Sequence, residues 1–240
     1  MIEYNSKTSF ASSASRTSTF DSALRDYMVK VYQYMSIALA ISGLVAFMVA
    51  SSPALMQAIF GTPLAFVVML APLGFVIFFG FKLKSISAEK AKSFLWIYSA
   101  LMGLSLATIF AVYTATSITR VFLITASTFG AMSIYGYTTK KDLTSFGSFL
   151  IMGLIGIMIA SIINIFLKSS GLDFAISFLG VFIFIGLTAY DTQRIKQTYY
   201  HFAGNDEMVS KMAVMGALNL YMDFINLFIM LLRFFGERKN

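Results

Sequence analysis

The chain has 240 residues, of which 58% are hydrophobic and only 12% are charged, and its mean hydropathy is +0.78. Soluble domains carry about a quarter charged residues, so this composition excludes a soluble globular protein and predicts an integral membrane protein. Cysteine is absent, which excludes disulfides, thiol nucleophiles and thiolate metal sites. The net charge is +7, but no basic run is interleaved with aromatic residues, so no nucleic-acid partner is expected.

The first 20 residues contain nine Ser or Thr and no apolar core. This composition is typical of disorder, and it predicts a disordered cytoplasmic tail over residues 1–25, followed by a membrane domain over residues 26–240. A cleaved secretory signal is not predicted, because no apolar segment follows the start closely.

Seven stretches are long and apolar enough to cross a hydrocarbon core as helices, which takes roughly 20 residues. An α-helix hydrogen-bonds its backbone N–H and C=O groups within one segment, so it can cross lipid without leaving them unpaired. The sequence therefore predicts an all-α, polytopic fold with seven transmembrane helices and short loops. The predicted spans cover residues 31–51, 63–81, 94–114, 119–138, 147–167, 174–192 and 212–235.

The distribution of Lys and Arg between the loops predicts orientation. With seven full crossings, 13 basic residues lie on the side of the N-terminus and 5 on the other side. With a last segment that re-enters and returns, the ratio is 16 to 2. Both ratios place the N-terminus in the cytoplasm, and the counts leave the path of the last segment open.

Small and hydroxylated residues indicate how two helices pack. Ser99, Gly103, Ala107 and Ala111 recur every four residues in the third span, a pattern that favours close helix packing in lipid. The fourth span is the richest in hydroxyl groups, and we expect its Ser and Thr side chains to bond back to their own helix.

Asp223 lies in the middle of the last span, where an aspartate costs about 2.5–3.5 kcal/mol on insertion scales and usually marks function. Helical spacing of 3, 4, 3 and 4 residues puts it on one face with four other residues. These are Gly216, Asn219, Asn226 and Met230. This polar stripe predicts that the last helix turns away from lipid and is central. As an alternative, the asparagines are structural hydrogen-bonding groups only.

Asp191 lies near the end of the sixth span, with Thr188 three residues before it and Arg194 three residues after it. An i,i+3 ion pair with Arg194 is an ordinary feature of a helix end, so this aspartate alone fits a structural or a functional reading. Two carboxyl groups brought together in a low-dielectric site tend to share a proton. Such a pair is suited to sensing pH or to binding Ca²⁺ transiently.

Two stretches resemble the signatures of the Bax inhibitor-1 family, also called the transmembrane Bax inhibitor motif family. They are "LTAYDTQRIK" at residues 187–196 and "ALNLYMDFINLFIMLLRFFG" at residues 217–236. The resemblance implies six helices around a central seventh and a bacterial-type member in the cytoplasmic (inner) membrane. It also implies a pH-sensitive calcium leak. The positions of the two motifs assign Asp191 and Asp223 as the proton-sensing pair and place them on the ion path.

In some relatives a basic residue at the end of the second helix supports the first aspartate. The corresponding stretch here is "FFGFKLK", which offers Lys82 and Lys84. The resemblance also leaves an alternative open, because bacterial relatives include a regulator of a membrane-bound ATP-dependent protease.

The leading hypothesis is therefore a cation leak channel, with Ca²⁺ as the expected ion, controlled by protonation of Asp191 and Asp223. The alternative is a regulator or scaffold that binds a membrane protease or another membrane protein. Intramembrane proteolysis is disfavoured, because the residues before Asp223 lack the glycines of a GxGD motif. No enzymatic activity and no cofactor are predicted.

Overall fold

The computed structural model describes residues 21–82 and 85–239, and eight helices contain most of these residues. Their bounds are α1 Glu3–Ala50 (described from residue 21 onward), α2 Pro53–Phe60, α3 Leu64–Lys82, α4 Ala88–Val112, α5 Ala115–Thr138, α6 Thr144–Leu167, α7 Ser170–Phe202 and α8 Asp206–Phe235. Residues 1–20 of the predicted tail lie outside the described part of the chain. Residues 21–25 belong to α1 and Leu24 is buried, so the membrane domain begins before residue 26.

Helix starts are set by side chains that accept a hydrogen bond from the first turn. The oxygens of Ser52, Ser87, Thr114, Ser169 and Asn205 each accept from the backbone N–H three residues on. These caps satisfy donors that a helix leaves free at its start. They explain why polar residues separate the long apolar helices in the sequence.

Seven of the helices are long and apolar enough to span a membrane; α2 is short and lies between the first two spans. The all-α, polytopic fold predicted from the sequence is thus confirmed. The central position of the last helix is also confirmed, because 67% of the most apolar window of α8 is buried, against 11% for α3 and for α6. Helices α1, α4, α5 and α7 pack around α8.

The last segment crosses the bundle completely. It is one uninterrupted helix of 30 residues, about 45 Å long, so the re-entrant alternative is wrong. At the end of α8, the backbone N–H of Thr114 donates to Glu237 (3.0 Å) and that of Lys239 donates to Val112 (2.9 Å). The carboxyl-terminal residues therefore lie at the α4–α5 junction, opposite the end at which the described part of α1 begins.

The small-residue stripe of the third span packs α4 closely against α1 at three of its four residues, and the fourth, Ala111, is exposed. Ser99, Gly103 and Ala107 are buried. A Cβ atom at Gly103 would lie 2.7 Å from the carbonyl oxygen of Ser42, which is closer than real contacts allow. The two backbones approach this closely only because position 103 has no side chain.

Candidate functional site

The predicted polar stripe of α8 faces α7. At one end, a Cβ at Gly216 would lie 3.1 Å from the side chain of Ile195, and at the other, a Cβ at Gly180 would lie 3.0 Å from Met230. The two helices run antiparallel along this seam. Asp191 and Asp223 lie between the two glycine contacts.

The carboxyl groups of Asp191 and Asp223 are within hydrogen-bonding reach of each other. Asp223 is only 6% exposed, and its Oδ2 atom accepts no hydrogen bond from any N–H or O–H group in the described chain. Two adjacent negative charges repel strongly away from water. Two carboxyl groups brought this close in a low-dielectric site tend to share a proton.

Arg194 forms an ion pair with Asp191. Its Nη1 atom lies 3.9 Å from Oδ1 of Asp191, and the side chains of Arg194 and Asp191 are 58% and 14% exposed. This places the Asp191 side of the pair closer to water than the Asp223 side. Lys82 is exposed and forms no ion pair with either aspartate, and Lys84 lies outside the described residues.

The other predicted polar residues surround the pair without bonding to it. Asn219 and Asn226 are half-buried, one turn on either side of Asp223, and neither is a hydrogen-bond partner of Asp223 Oδ2. The hydroxyl of Thr188 is fully buried and donates to the carbonyl of Phe184 at 2.7 Å, within its own helix. The supporting residues therefore lie beside the pair without a hydrogen bond to Asp223 Oδ2.

Helix α5 and the α5–α6 loop hold the Asp191 segment of α7 in place. A Cβ atom at Gly136 would collide with the carbonyl oxygen of Ala189, so only glycine permits this approach. Two residues beyond Asp191, the Gln193 side chain accepts from the Leu143 N–H at 2.9 Å and donates to the Lys141 carbonyl at 2.8 Å. No local pattern in the sequence indicates these contacts, because they join residues about 50 positions apart.

Apolar side chains on the outer side of the pair are buried. Phe184 of α7 and Leu227, Phe228 and Leu231 of α8 are all at most 8% exposed. This stretch of the two helices is therefore shielded from solvent.

A second polar contact on α8 was missed by the sequence reasoning. The Tyr221 hydroxyl lies 2.6 Å from Ser42 Oγ, which is also 2.7 Å from the carbonyl oxygen of Ser99. These groups join α8 to α1 and α4 on the face opposite Asp223. A tyrosine in an apolar span was the available signal, since a buried tyrosine hydroxyl usually finds a partner.

Comparison with known proteins agrees with this architecture. The model of the family described as inhibitor of apoptosis-promoting Bax1 matches residues 24–240. The chain belongs to the Bax inhibitor-1 family. The resemblance seen in the two signature stretches is thus confirmed.

Similar proteins of this family occur in several bacteria. An uncharacterized protein of Rickettsia prowazekii is 47% identical over 240 residues, which is 100% of both chains. The inner membrane protein YbhL of Escherichia coli is 45% identical over 218 residues, covering 90% of this chain and 93% of YbhL. A protein of Caulobacter vibrioides is 45% identical over 229 residues, or 92% of each chain. This Bax inhibitor-1 family member is a multi-pass integral membrane protein, as predicted.

Proposed function

We propose that this Bax inhibitor-1 family member is a pH-sensitive cation leak channel, with Ca²⁺ as the expected ion, gated by the protonation of Asp191 and Asp223. The observation that carries the proposal is the contact between two carboxyl groups at the α7–α8 seam. Mid-membrane acids that face the bundle interior mark ion and proton pathways. The role is gating and conduction, without catalysis.

The gate follows from the charge on the pair. A shared proton lets the two carboxyl groups touch and holds α7 against α8. When that proton leaves, two carboxylates face each other in a site of low dielectric constant, and their repulsion favours separation of the helices. The flux is therefore expected to rise as the pH rises and to fall as the pH falls.

The pair suits a passing cation better than a resident one. Two carboxylates supply fewer oxygen atoms than the roughly six to eight that Ca²⁺ takes. No group of three or more acidic or histidine side chains is found within the described residues. Asn219 and Asn226, on the same face of α8, offer amide oxygens along the path.

The direct test is Ca²⁺ flux into proteoliposomes across a pH series. Asparagine mimics a protonated carboxyl group in shape and charge, so Asp223→Asn and Asp191→Asn are each expected to give low flux that no longer depends on pH. Asp173→Asn is the matched control, because Asp173 is also an aspartate of α7, but its exposed ion pair with Arg233 of α8 lies at the far end of the two helices, beyond Gly180 and Met230. The proposal fails if both seam variants keep the wild-type flux and pH profile while remaining folded.

The alternative role, regulation of a membrane protease or another membrane protein, is separated by deletion of residues 1–20. In the sequence, this role is supported by the N-terminal tail, of which residues 1–20 lie outside the described residues. Loss of partner binding with normal flux in the deletion variant favours the regulatory role. Residues 21–25 are retained in the deletion because Leu24 is buried in the bundle.

A further inference from the structure

We propose that a groove between α1 and α5 binds one anionic phospholipid, with the lipid phosphate against Arg25 and an acyl chain along the groove. This inference is independent of the ion path at the α7–α8 seam. It stands on the shape of the groove, on its one charged residue and on one buried hydroxyl group.

The groove exists because α1 and α5 have different neighbours. Helix α1 packs chiefly on α4 and α8, and α5 packs on α7 and α8, so the ring around α8 is open between them. The resulting cavity has a volume of about 1070 Å³. Phe224 of the central helix forms part of its lining, so a bound molecule would contact the residue that follows Asp223.

The groove has the length of a membrane. Its lining runs from Arg25 to Gly43 on α1 and from Tyr137 back to Ile118 on α5. Each stretch is about 27–29 Å long at 1.5 Å per residue, close to the roughly 30 Å of a hydrocarbon core. The lining is mainly aliphatic and aromatic, which suits an acyl chain.

The space inside the groove is left free by two glycines. No described atom lies within 4 Å of the position that a Cβ would take at Gly43 or at Gly130. In contrast, Cβ atoms at Gly103 and Gly136 would collide with neighbouring backbone. The two groove glycines therefore serve no close helix contact within the described part of the chain.

Among the described residues that line the groove, only Arg25 is charged. It is exposed and forms no ion pair in the described chain, although Asp21 lies one helical turn before it. Asp26, the next residue, lines a different pocket. A free guanidinium at the mouth of an apolar groove matches a lipid phosphate in charge and in hydrogen-bonding geometry.

Ser133 supplies the second polar position. Its side chain is 6% exposed and lines the groove, and its Oγ atom has no hydrogen-bond partner in the described chain. The predicted bonding back to the helix occurs at Thr125 and Ser127, which donate to Val121 and Leu123, but Ser133 departs from it.

The depth of Ser133 fits a lipid ester. Ser133 lies four residues before Tyr137 on α5, and Tyr137 is at the same end of the groove as Arg25. Ser133 is therefore about 6 Å deeper in the membrane than that end of the groove. The ester carbonyls of a phospholipid lie at a similar distance below its phosphate. The free hydroxyl therefore has an acceptor when the lipid is bound.

The test measures lipid bound to the full-length protein. Delipidated protein is mixed with phosphatidylglycerol or phosphatidylcholine in detergent, and native mass spectrometry counts the lipids per chain. The wild type is expected to bind one phosphatidylglycerol in preference to phosphatidylcholine. Arg25→Gln is expected to remove that preference, weakening phosphatidylglycerol binding by about tenfold, the size of one charge-assisted contact.

Filling the groove tests the acyl-chain part. Gly43→Leu and Gly130→Leu place side chains in open space and are each expected to abolish binding without loss of thermal stability. Gly156→Leu is the control, since the space beside Gly156 is also open but lies on α6. Equal binding by the groove variants and the wild type overturns the proposal. The proposal is also overturned if the wild-type protein is a dimer and Gly130→Leu dissociates it. In that case a helix of a second copy, and not a lipid, occupies the groove of the wild type.

Discussion

Helix α8 carries two buried polar groups on opposite faces, and they are built differently. Tyr221 faces α1 and α4, and its hydroxyl is paired with Ser42 at 2.6 Å. Asp223, two residues on and about 200° around the helix, faces α7, and its Oδ2 atom has no donor partner in the described chain. Both side chains are nearly inaccessible to solvent.

The difference shows that burial alone does not distinguish a polar residue with a structural role from one with a functional role. A satisfied neutral contact such as that of Tyr221 stabilises one arrangement of helices and gains nothing from a change in pH. A carboxyl pair that depends on a shared proton has two states of different charge. We therefore expect the Tyr221 face to determine stability and the Asp223 face to determine the response to pH.

The largest expected effect comes from displacing the backbone on the α7 side. In Gly136→Val the new side chain collides with the Ala189 carbonyl, and we expect unfolding to become easier by about 3 kcal/mol or more. Thermal unfolding in detergent measures this. Gly130→Val on the same helix is the control and should be near neutral. Equal stability of the two variants would show that α5 does not hold the Asp191 segment.

Ser42→Ala tests the Tyr221 face. It leaves the tyrosine hydroxyl buried without its partner, which is expected to cost about 2 kcal/mol of stability. The pH profile of the flux should keep its wild-type form. A changed profile would break the comparison, because it would connect the Tyr221 face to the gate.

Tyr221→Phe is expected to cost less, about 1 kcal/mol, because Ser42 still donates to the Ser99 carbonyl. Combining it with Ser42→Ala measures the coupling between the two hydroxyl groups in a double-mutant cycle. Additive losses would indicate that the 2.6 Å contact contributes little to stability.

The smallest expected effect is that of Arg194→Gln. The pair with Asp191 is long and the arginine is mostly exposed, so a stability change below about 0.5 kcal/mol is expected. Loss of the nearby cation makes a second negative charge at the seam less favourable. The flux profile should therefore move to higher pH by less than about one unit, and a larger shift would place Arg194 within the gate.

Much of the candidate site was predictable because transmembrane helices follow local rules. Hydropathy located the seven spans, and the spacing of Gly216, Asn219, Asp223 and Asn226 predicted the buried face of α8 and its central position. Only the family resemblance suggested Lys82 as a basic partner of Asp191, and in the structure Lys82 is exposed at the end of α3. Whether a side chain contacts a residue on another helix depends on how the two helices pack. The spacing of residues along one helix does not determine that packing.

The sequence by itself determined that the chain is an all-α membrane protein with a charged residue in its central helix, since apolar length and the 3.6-residue period are local properties. Only the tertiary structure decided that Asp191 meets Asp223, that the last helix crosses fully, and that a groove remains between α1 and α5. These features depend on which helices become neighbours. The backbone contacts at Gly103 and Gly136, made between residues far apart in the chain, fix that choice.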